Sequence, residues 1–175
     1  MDKTAYLSVY DKNGAEEFAM GLEALGFAIY ASGSTYKLLA EAGIEAEEVR
    51  YSPPVPYSVL KAMSGRFPAV SENGVELPRF YVVAANLYHI ASIVSQEEFA
   101  LGELSNYLDQ ANSAVLRAAA RDFENTITVS SPVDYGPVLI ALKEAGGLEP
   151  EVTKQLAAKA WQSLAAYDAT VAQYL

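Results

Sequence analysis

The 175-residue chain contains no cysteine and one histidine, His89. These scarcities exclude a disulfide framework, a thiolate zinc site, a cysteine nucleophile and any metal site built from several histidines. Basic residues are few, 12 against 22 acidic ones, which leaves a net charge of −10 and a pI near 4.5. With no Lys/Arg cluster, the balance argues against general binding to nucleic acid or to an anionic membrane. No run approaches the ~18 uninterrupted apolar residues of a membrane span. The opening Met1-Asp2-Lys3-Thr4 leads into no apolar h-region, so no signal peptide is expected. What is present is 51% apolar residues with only 19% charged. That is too apolar for a disordered chain, and the length suits one domain whose core needs no staples. The expectation is a soluble, cytoplasmic, acidic domain over residues 1–175.

The hydrophobic pattern alternates between strand and helix. Residues 4–10 (Thr-Ala-Tyr-Leu-Ser-Val-Tyr) read as a buried strand ended by Asp11-Lys12-Asn13-Gly14. Phe18, Leu22 and Leu25 recur at helical spacing before Gly26. Phe27 to Ala31 reads as a second strand, and Ser32-Gly33-Ser34-Thr35 opens a helix of about nine residues ending near Gly43. Ile44 to Val49, rich in glutamate, reads as a weak edge strand. This order predicts an α/β fold, a mainly parallel sheet flanked by helices with right-handed crossovers. Residues 51–79, with prolines at 53, 54, 56, 68 and 78, read as a long functional loop carrying one short helix near Val59 to Met63. Phe80 to Tyr88 reads as the most apolar strand and is expected at the centre of the sheet. Residues 97–123 are helical in composition, with a break and a new N-cap within Asp109 to Ser113. A last strand over Thr126 to Ser131 precedes helices over Asp134 to Ala145 and Pro150 to Tyr174.

In open parallel sheets, ligands bind beyond the carboxyl ends of the strands. The sequence sets Ser8, Tyr10, Asp11 and Lys12 there after the first strand, Ser32 to Thr35 after the second, and Asn86, Tyr88 and His89 after the apolar strand. Ser32-Gly33-Ser34-Thr35 combines hydroxyls, a permissive glycine and the free N–H groups of a helix start, which together suit a phosphate. Lys12 can add the cation. Taken alone, the four residues read more simply as a helix cap and its turn, and Lys12 as a solvated lysine. Tyr88 and His89 read as rim or core residues, Asp109 as the polar end of a helix, and Asn112 or Ser113 as a cap. Arg117 and Arg121 read as a solvated stripe. Arg66, between Gly65 and Phe67-Pro68, has the least evident structural reason to exist.

The same residues resemble a known family. Ser-Val-Tyr-Asp-Lys-Asn-Gly (8–14), Ala-Ser-Gly-Ser-Thr (31–35), Leu-Ala-Glu-Ala-Gly (39–43), Ala-Asn-Leu-Tyr (85–88), Leu-Arg-Ala-Ala-Ala-Arg (116–121) and Ala-Tyr-Asp (166–168) follow one another as in IMP cyclohydrolase. That is the first domain of the bifunctional purine-biosynthesis enzyme whose other domain is the AICAR transformylase. The resemblance covers essentially the whole chain and implies a stand-alone, divergent cyclohydrolase with the three-layer methylglyoxal-synthase-like fold. The reaction it implies closes the purine ring of 5-formamidoimidazole-4-carboxamide ribotide (FAICAR), with loss of water, to give IMP. No metal or redox cofactor is implied; a homodimer and a separate formyltransferase partner are compatible with it. By the same resemblance, Ser8, Lys12, Ser32, Gly33 and Thr35 match the 5′-phosphate cradle, with Ser34 and Asn86 joining the substrate-binding set. Arg66 matches an arginine of the substrate loop, Tyr88 a catalytic tyrosine, Asp109 a catalytic aspartate, and Arg121 stands at a catalytic lysine.

The departures from the family fall in the segments that carry chemistry. The family's Arg-Val-Lys-Thr-Leu-His-Pro shrinks to Arg66-Phe67-Pro68 and loses a lysine, Asp-Ile-Gly-Gly becomes Asp109-Gln110-Ala111-Asn112, and Tyr-Pro-Phe becomes Tyr88-His89-Ile90. Phosphate binding is left nearly intact. Arg121, with Arg66 second, is expected to take over the electrostatic work of the lost lysine, with His89 as competitor. Two further readings stand beside the enzyme: a catalytically weak nucleotide-binding or regulatory module, and, last, a methylglyoxal-synthase-type lyase. The lyase fits the fold but not the Tyr88 and Asp109 segments.

Overall fold

A computed structural model describes residues 3–51, 54–67, 69–72, 75–95 and 101–175. The first half of the chain runs β1 (Thr4–Ser8), α1 (Ala15–Ala24), β2 (Ala28–Ala31), α2 (Gly33–Glu41), β3 (Glu47–Glu48) and α3 (Tyr57–Met63). Then come β4 (Ala69–Glu72), β5 (Val75–Pro78), β6 (Val82–Ala85) and α4 (Ile90–Val94). After a 3-10 segment at Leu101–Tyr107 follow α5 (Gln110–Arg121), β7 (Ile127–Val129), α6 (Tyr135–Ala145) and α7 (Pro150–Tyr174).

Five strands form one sheet in the order β3-β2-β1-β6-β7, every pair parallel. Parallel neighbours need crossovers, and the helices supply them on both faces. Side chains alternate across the sheet with the strand period of two. Ala5 and Leu7 of β1, with Val82 and Ala84 of β6, pack into a core shared with Phe18 and Leu22 of α1, Leu39 of α2 and Val138 of α6. Tyr6, Val83 and Ala85 point the other way, against Met63 of α3, Leu116 of α5 and Ala160 of α7. The result is a three-layer α/β domain.

Several boundaries differ from the sequence expectation. The strand expected over residues 80–88 is a strand only at Val82–Ala85, because Asn86 turns its amide onto the backbone of Tyr10 and Asp11. The middle strand is β1 rather than β6, since the last strand pairs outside β6. The helical stretch expected from residue 97 is 3-10 over Leu101–Tyr107, and its first residues lie outside the described ones. The break expected near Asp109 is real: Asp109 caps α5 by accepting from the Asn112 backbone N–H at 2.9 Å. Within the irregular stretch, α3 stands where a short helix was expected. The antiparallel hairpin β4–β5, with Ala69 opposite Pro78, was not expected. Among the described residues, no helix is long and apolar enough to cross a membrane.

Candidate active site

Beyond the carboxyl ends of β1 and β2 lies a cavity of about 370 Å³, whose walls include Ser8, Ser32, Gly33, Ser34, Tyr88 and Asp109. The size is that of an ordinary small-molecule site. One wall is the start of α2. Ser32 occupies the N-cap position, yet its side chain makes no capping bond. Its hydroxyl donates instead to Ser8 Oγ at 3.1 Å. Gly33 follows at φ 54, in the left-handed region where glycine is at ease. The N–H groups of Gly33 and Ser34 have no partner among the described residues, so this helix start is uncapped and opens on the cavity. An ordinary capped turn would have used the Ser32 hydroxyl there.

Lys12 stands beside this helix start. Its Nζ donates to Val9 O, to Ser34 Oγ at 3.0 Å and to Thr35 Oγ1 at 2.9 Å. Burial lowers its pKa. Among the described residues it has no carboxylate partner, in a chain with ten excess negative charges. A lysine at the positive end of a helix dipole is unfavourable unless an anion joins them. Ammonium, dipole and free N–H groups therefore form a site suited to an anion.

The floor is a row of hydroxyls. The Tyr6 hydroxyl lies 3.1 Å from that of Tyr51 and 2.8 Å from Ser32 Oγ; Ser32 donates to Ser8, and Ser8 to Asn112 Oδ1 at 2.8 Å. Asn112 Nδ2 donates to the Asn86 carbonyl at 2.9 Å, tying the ends of β1 and β6 to the start of α5.

The same cavity is lined by Tyr88 and Asp109. The Tyr88 ring packs on Tyr10, centroids 4.4 Å apart, and its hydroxyl has no hydrogen-bond partner among the described residues. Burial, the Asp109 charge and Tyr10 push its pKa up, so the phenol keeps its proton through the neutral range. Asp109 is 8% exposed; burial raises its carboxyl, opposed by hydrogen bonds from Asn112. Its backbone N–H donates to the Tyr167 hydroxyl at 2.7 Å, so α7 braces the same residue. The cavity thus brings together an anion cradle, a proton-bearing phenol and a buried carboxyl.

Of the residues singled out by sequence, Ser8, Ser32, Gly33, Ser34, Thr35, Tyr88 and Asp109 line one cavity. Thr35 is buried, and its hydroxyl is spent on Val9 and Lys12, so it positions the lysine. Asn86 is likewise a clamp: its Oδ1 accepts from Tyr10 N–H at 2.6 Å and Asp11 N–H at 2.9 Å, holding the loop that carries Lys12. Arg66 and Arg121 are not brought here. They line a separate cavity between α3, α5 and α7. Twelve helical residues from Asp109, Arg121 is displaced by about 18 Å along α5. The expectation that Arg121 works on the same atoms as Tyr88 and Asp109 is therefore not met within one chain. His89 is exposed and lines a third cavity. Sequence reading gave no site role to Asn112, Tyr51 or Arg50, which line the same cavity, or to Tyr167, which braces Asp109. Asn112 could have been found as the one polar side chain at a position where the family has glycine, and Tyr167 as the middle of Ala166-Tyr167-Asp168; Tyr51 and Arg50 carry no such signal.

Two family profiles match the chain: the AICARFT/IMPCHase bienzyme over residues 119–175 and the MGS-like domain over residues 14–62. The bifunctional purine biosynthesis protein PurH of Chloroflexus aurantiacus is 33% identical over 98% of this chain and 36% of its own length. That of Bacillus subtilis is 30% identical over 99% of this chain and 37% of its own. The chain thus spans little more than a third of the length of these curated relatives. The crystal structure of ForH superposes with a TM-score of 0.80 at 31% identity, covering 99% of both chains.

Proposed function

Because this chain belongs to the family of the IMP cyclohydrolase domain of the bifunctional purine-biosynthesis enzyme, we propose that it acts in purine biosynthesis by closing the ring of FAICAR to give IMP. The observation that carries this reading is Lys12 bonded to an uncapped helix start whose Ser32, Gly33 and Ser34 line one cavity with Tyr88 and Asp109. The cradle takes the 5′-phosphate and fixes the ribotide, so that the imidazole substituents lie toward Tyr88 and Asp109. Nucleophile and electrophile belong to one molecule, and holding them in a near-attack geometry does much of the catalysis. The carboxamide nitrogen bonds to the formyl carbon. Tyr88, held protonated, donates toward the formyl oxygen, while Asp109 accepts from and orients the carboxamide nitrogen. That oxygen leaves as water, carrying one proton from the carboxamide nitrogen and one from the formamide nitrogen, which becomes double-bonded to the ring carbon. The groups acting on the reacting atoms are a phenol and a carboxyl.

Two measurements test the reading. Purified chain given FAICAR should form IMP with release of one water; no turnover, with IMP still raising the melting temperature, would leave a nucleotide-binding module instead. Lys12→Met should abolish most of the IMP-induced rise in melting temperature, a rise expected of any ligand of the native state. The unliganded variant should melt within about 4 °C of wild type. Burial lowers the pKa of Lys12, so the folded chain holds the ammonium less well than the unfolded chain does. That penalty is felt at neutral pH and fades as pH rises through the lowered value. Methionine removes it and offsets the lost hydrogen bonds. An unchanged IMP-induced shift in Lys12→Met would move the phosphate elsewhere.

A further inference from the structure

The cavity that holds Arg66 and Arg121 has a chemistry of its own, and from it we infer a second ligand site, one for a planar aromatic ring carrying two negative charges. Its volume is about 410 Å³, and it shares no lining residue with the phosphate cradle. Four of the chain's 12 basic residues, Lys61, Arg66, Arg117 and Arg121, converge on it. Two are matched: Arg66 with Asp122 at 3.1 Å and Arg117 with Asp168 at 2.6 Å. Four cations less two carboxylates leave a local charge of +2 on a chain whose total is −10. Arg121 has no acidic partner among the described residues. Over the ~8 Å that physiological salt allows, this local excess outweighs the distant negative charge.

The walls are aromatic. Tyr57, Phe67 and Trp161 line the cavity and all three are exposed, Tyr57 to 72%. Lys61 sits over the Tyr57 ring at 4.9 Å and the Phe67 ring at 5.2 Å, and Arg117 over the Trp161 ring at 5.8 Å. Each of these cations thus lies within about 6 Å of a ring centroid, setting aromatic surface and charge side by side. The site is built rather than incidental. Gly65, at φ 61, lies so close to β7 that a Cβ there would meet Thr126 Oγ1 at 2.4 Å. Only glycine fits, and that close approach carries Arg66 to Asp122. Asp122 is 3% exposed, and its Oδ2 has no hydrogen-bond partner among the described residues. Asp122 keeps its charge paired with Arg66 and leaves the excess positive charge to Lys61 and Arg121. Dianion and planar ring together define the ligand class, of which a purine nucleoside monophosphate is one member.

Trp161 is the only tryptophan, so its fluorescence reports on this cavity and not on the cradle. Wild-type chain titrated with AMP, excited at the red edge of tryptophan absorption, should show saturable quenching. Adenosine, which lacks the charge, and inorganic phosphate, which lacks the ring, should need at least tenfold higher concentrations. Lys61→Gln with Arg121→Gln, both partly or fully exposed positions, should weaken the AMP response at least tenfold, while Lys12→Met should leave it within twofold. Circular dichroism melts of each variant check that the fold is kept. Quenching that does not saturate, that survives the Lys61/Arg121 double substitution, or that disappears with Lys12→Met would overturn the second site.

Discussion

Tyr88→Phe should cut turnover by about a hundredfold or more while leaving the fold as stable as before. The hydroxyl it removes has no hydrogen-bond partner among the described residues, so no buried donor or acceptor is stranded by its loss. The ring stays against Tyr10, the two rings meeting at a tilt of 49° with centroids 4.4 Å apart. A substitution of this kind, away from any network, changes stability by no more than about 0.5 kcal/mol. Turnover is different, because a positioned general acid contributes about 10²–10⁴-fold. Burial and the Asp109 charge keep the phenol protonated, which is the form a donor needs. Steady-state rates of IMP formation and a denaturant titration, both on the same preparation, decide the matter. A Tyr88→Phe chain with unaltered turnover would leave Tyr88 as a rim aromatic.

Asp109→Asn should be as damaging to turnover, again by about 10²-fold or more, and should leave the fold as stable or stabilise it. Asparagine caps helices as well as aspartate does, so the bond from the Asn112 N–H to position 109 can persist. What disappears is a charge that the fold holds at a disadvantage. The carboxyl pKa is raised above 3.8 by burial, so ionising it costs the native state. That stability is present below 3.8 and is lost as pH climbs through the raised value. In Asp109→Asn this loss should vanish, and the melting temperature should fall less, or not at all, between acid and neutral pH. Activity runs in the opposite sense: the wild-type rate should drop as pH falls through the raised value, because the ionised carboxylate is the acceptor. Retained turnover in Asp109→Asn would take Asp109 out of the chemistry and leave it as a cap.

Much of the architecture was legible because its signals are local. The short apolar run of β1 and the Phe18 and Leu22 stripe of α1 are local patterns, and such patterns survive without tertiary information. Motif order placed Tyr88 and Asp109 in one cavity with the cradle. The hairpin β4–β5 was missed although Asn73-Gly74 is a common two-residue hairpin signal, because the density of prolines around it read as irregular loop. Asn86 read as substrate-binding when its amide is consumed by the backbone of Tyr10 and Asp11. An amide that binds substrate and one that clamps a loop look alike in one dimension. Arg121 was misplaced for a simpler reason. Once a cap is read at Asp109, twelve residues of helix carry Arg121 about 18 Å away, and motif matching takes no account of that length.

The hydroxyl row on the cavity floor bears on what an incoming phosphate must itself bring. Asn112 Nδ2 is fixed by the Asn86 carbonyl, so Oδ1 must face Ser8, and Ser8 must give its hydrogen to it. Ser32 then gives to Ser8, Tyr6 to Ser32 and Tyr51 to Tyr6. One main-chain carbonyl at the end of β6 therefore orients four hydroxyls, and both serines turn lone pairs toward the cavity. A singly protonated phosphate has one hydrogen to give to one of those lone pairs and fits the row as it stands. A fully ionised one has none, and is met by a serine only if Ser32 turns its hydrogen away from Ser8 or Ser8 turns its own away from Asn112 Oδ1, at a cost of about 1–3 kcal/mol. Between the two, no heavy atom need move, and the cradle's preference is written in the orientation of its hydrogens.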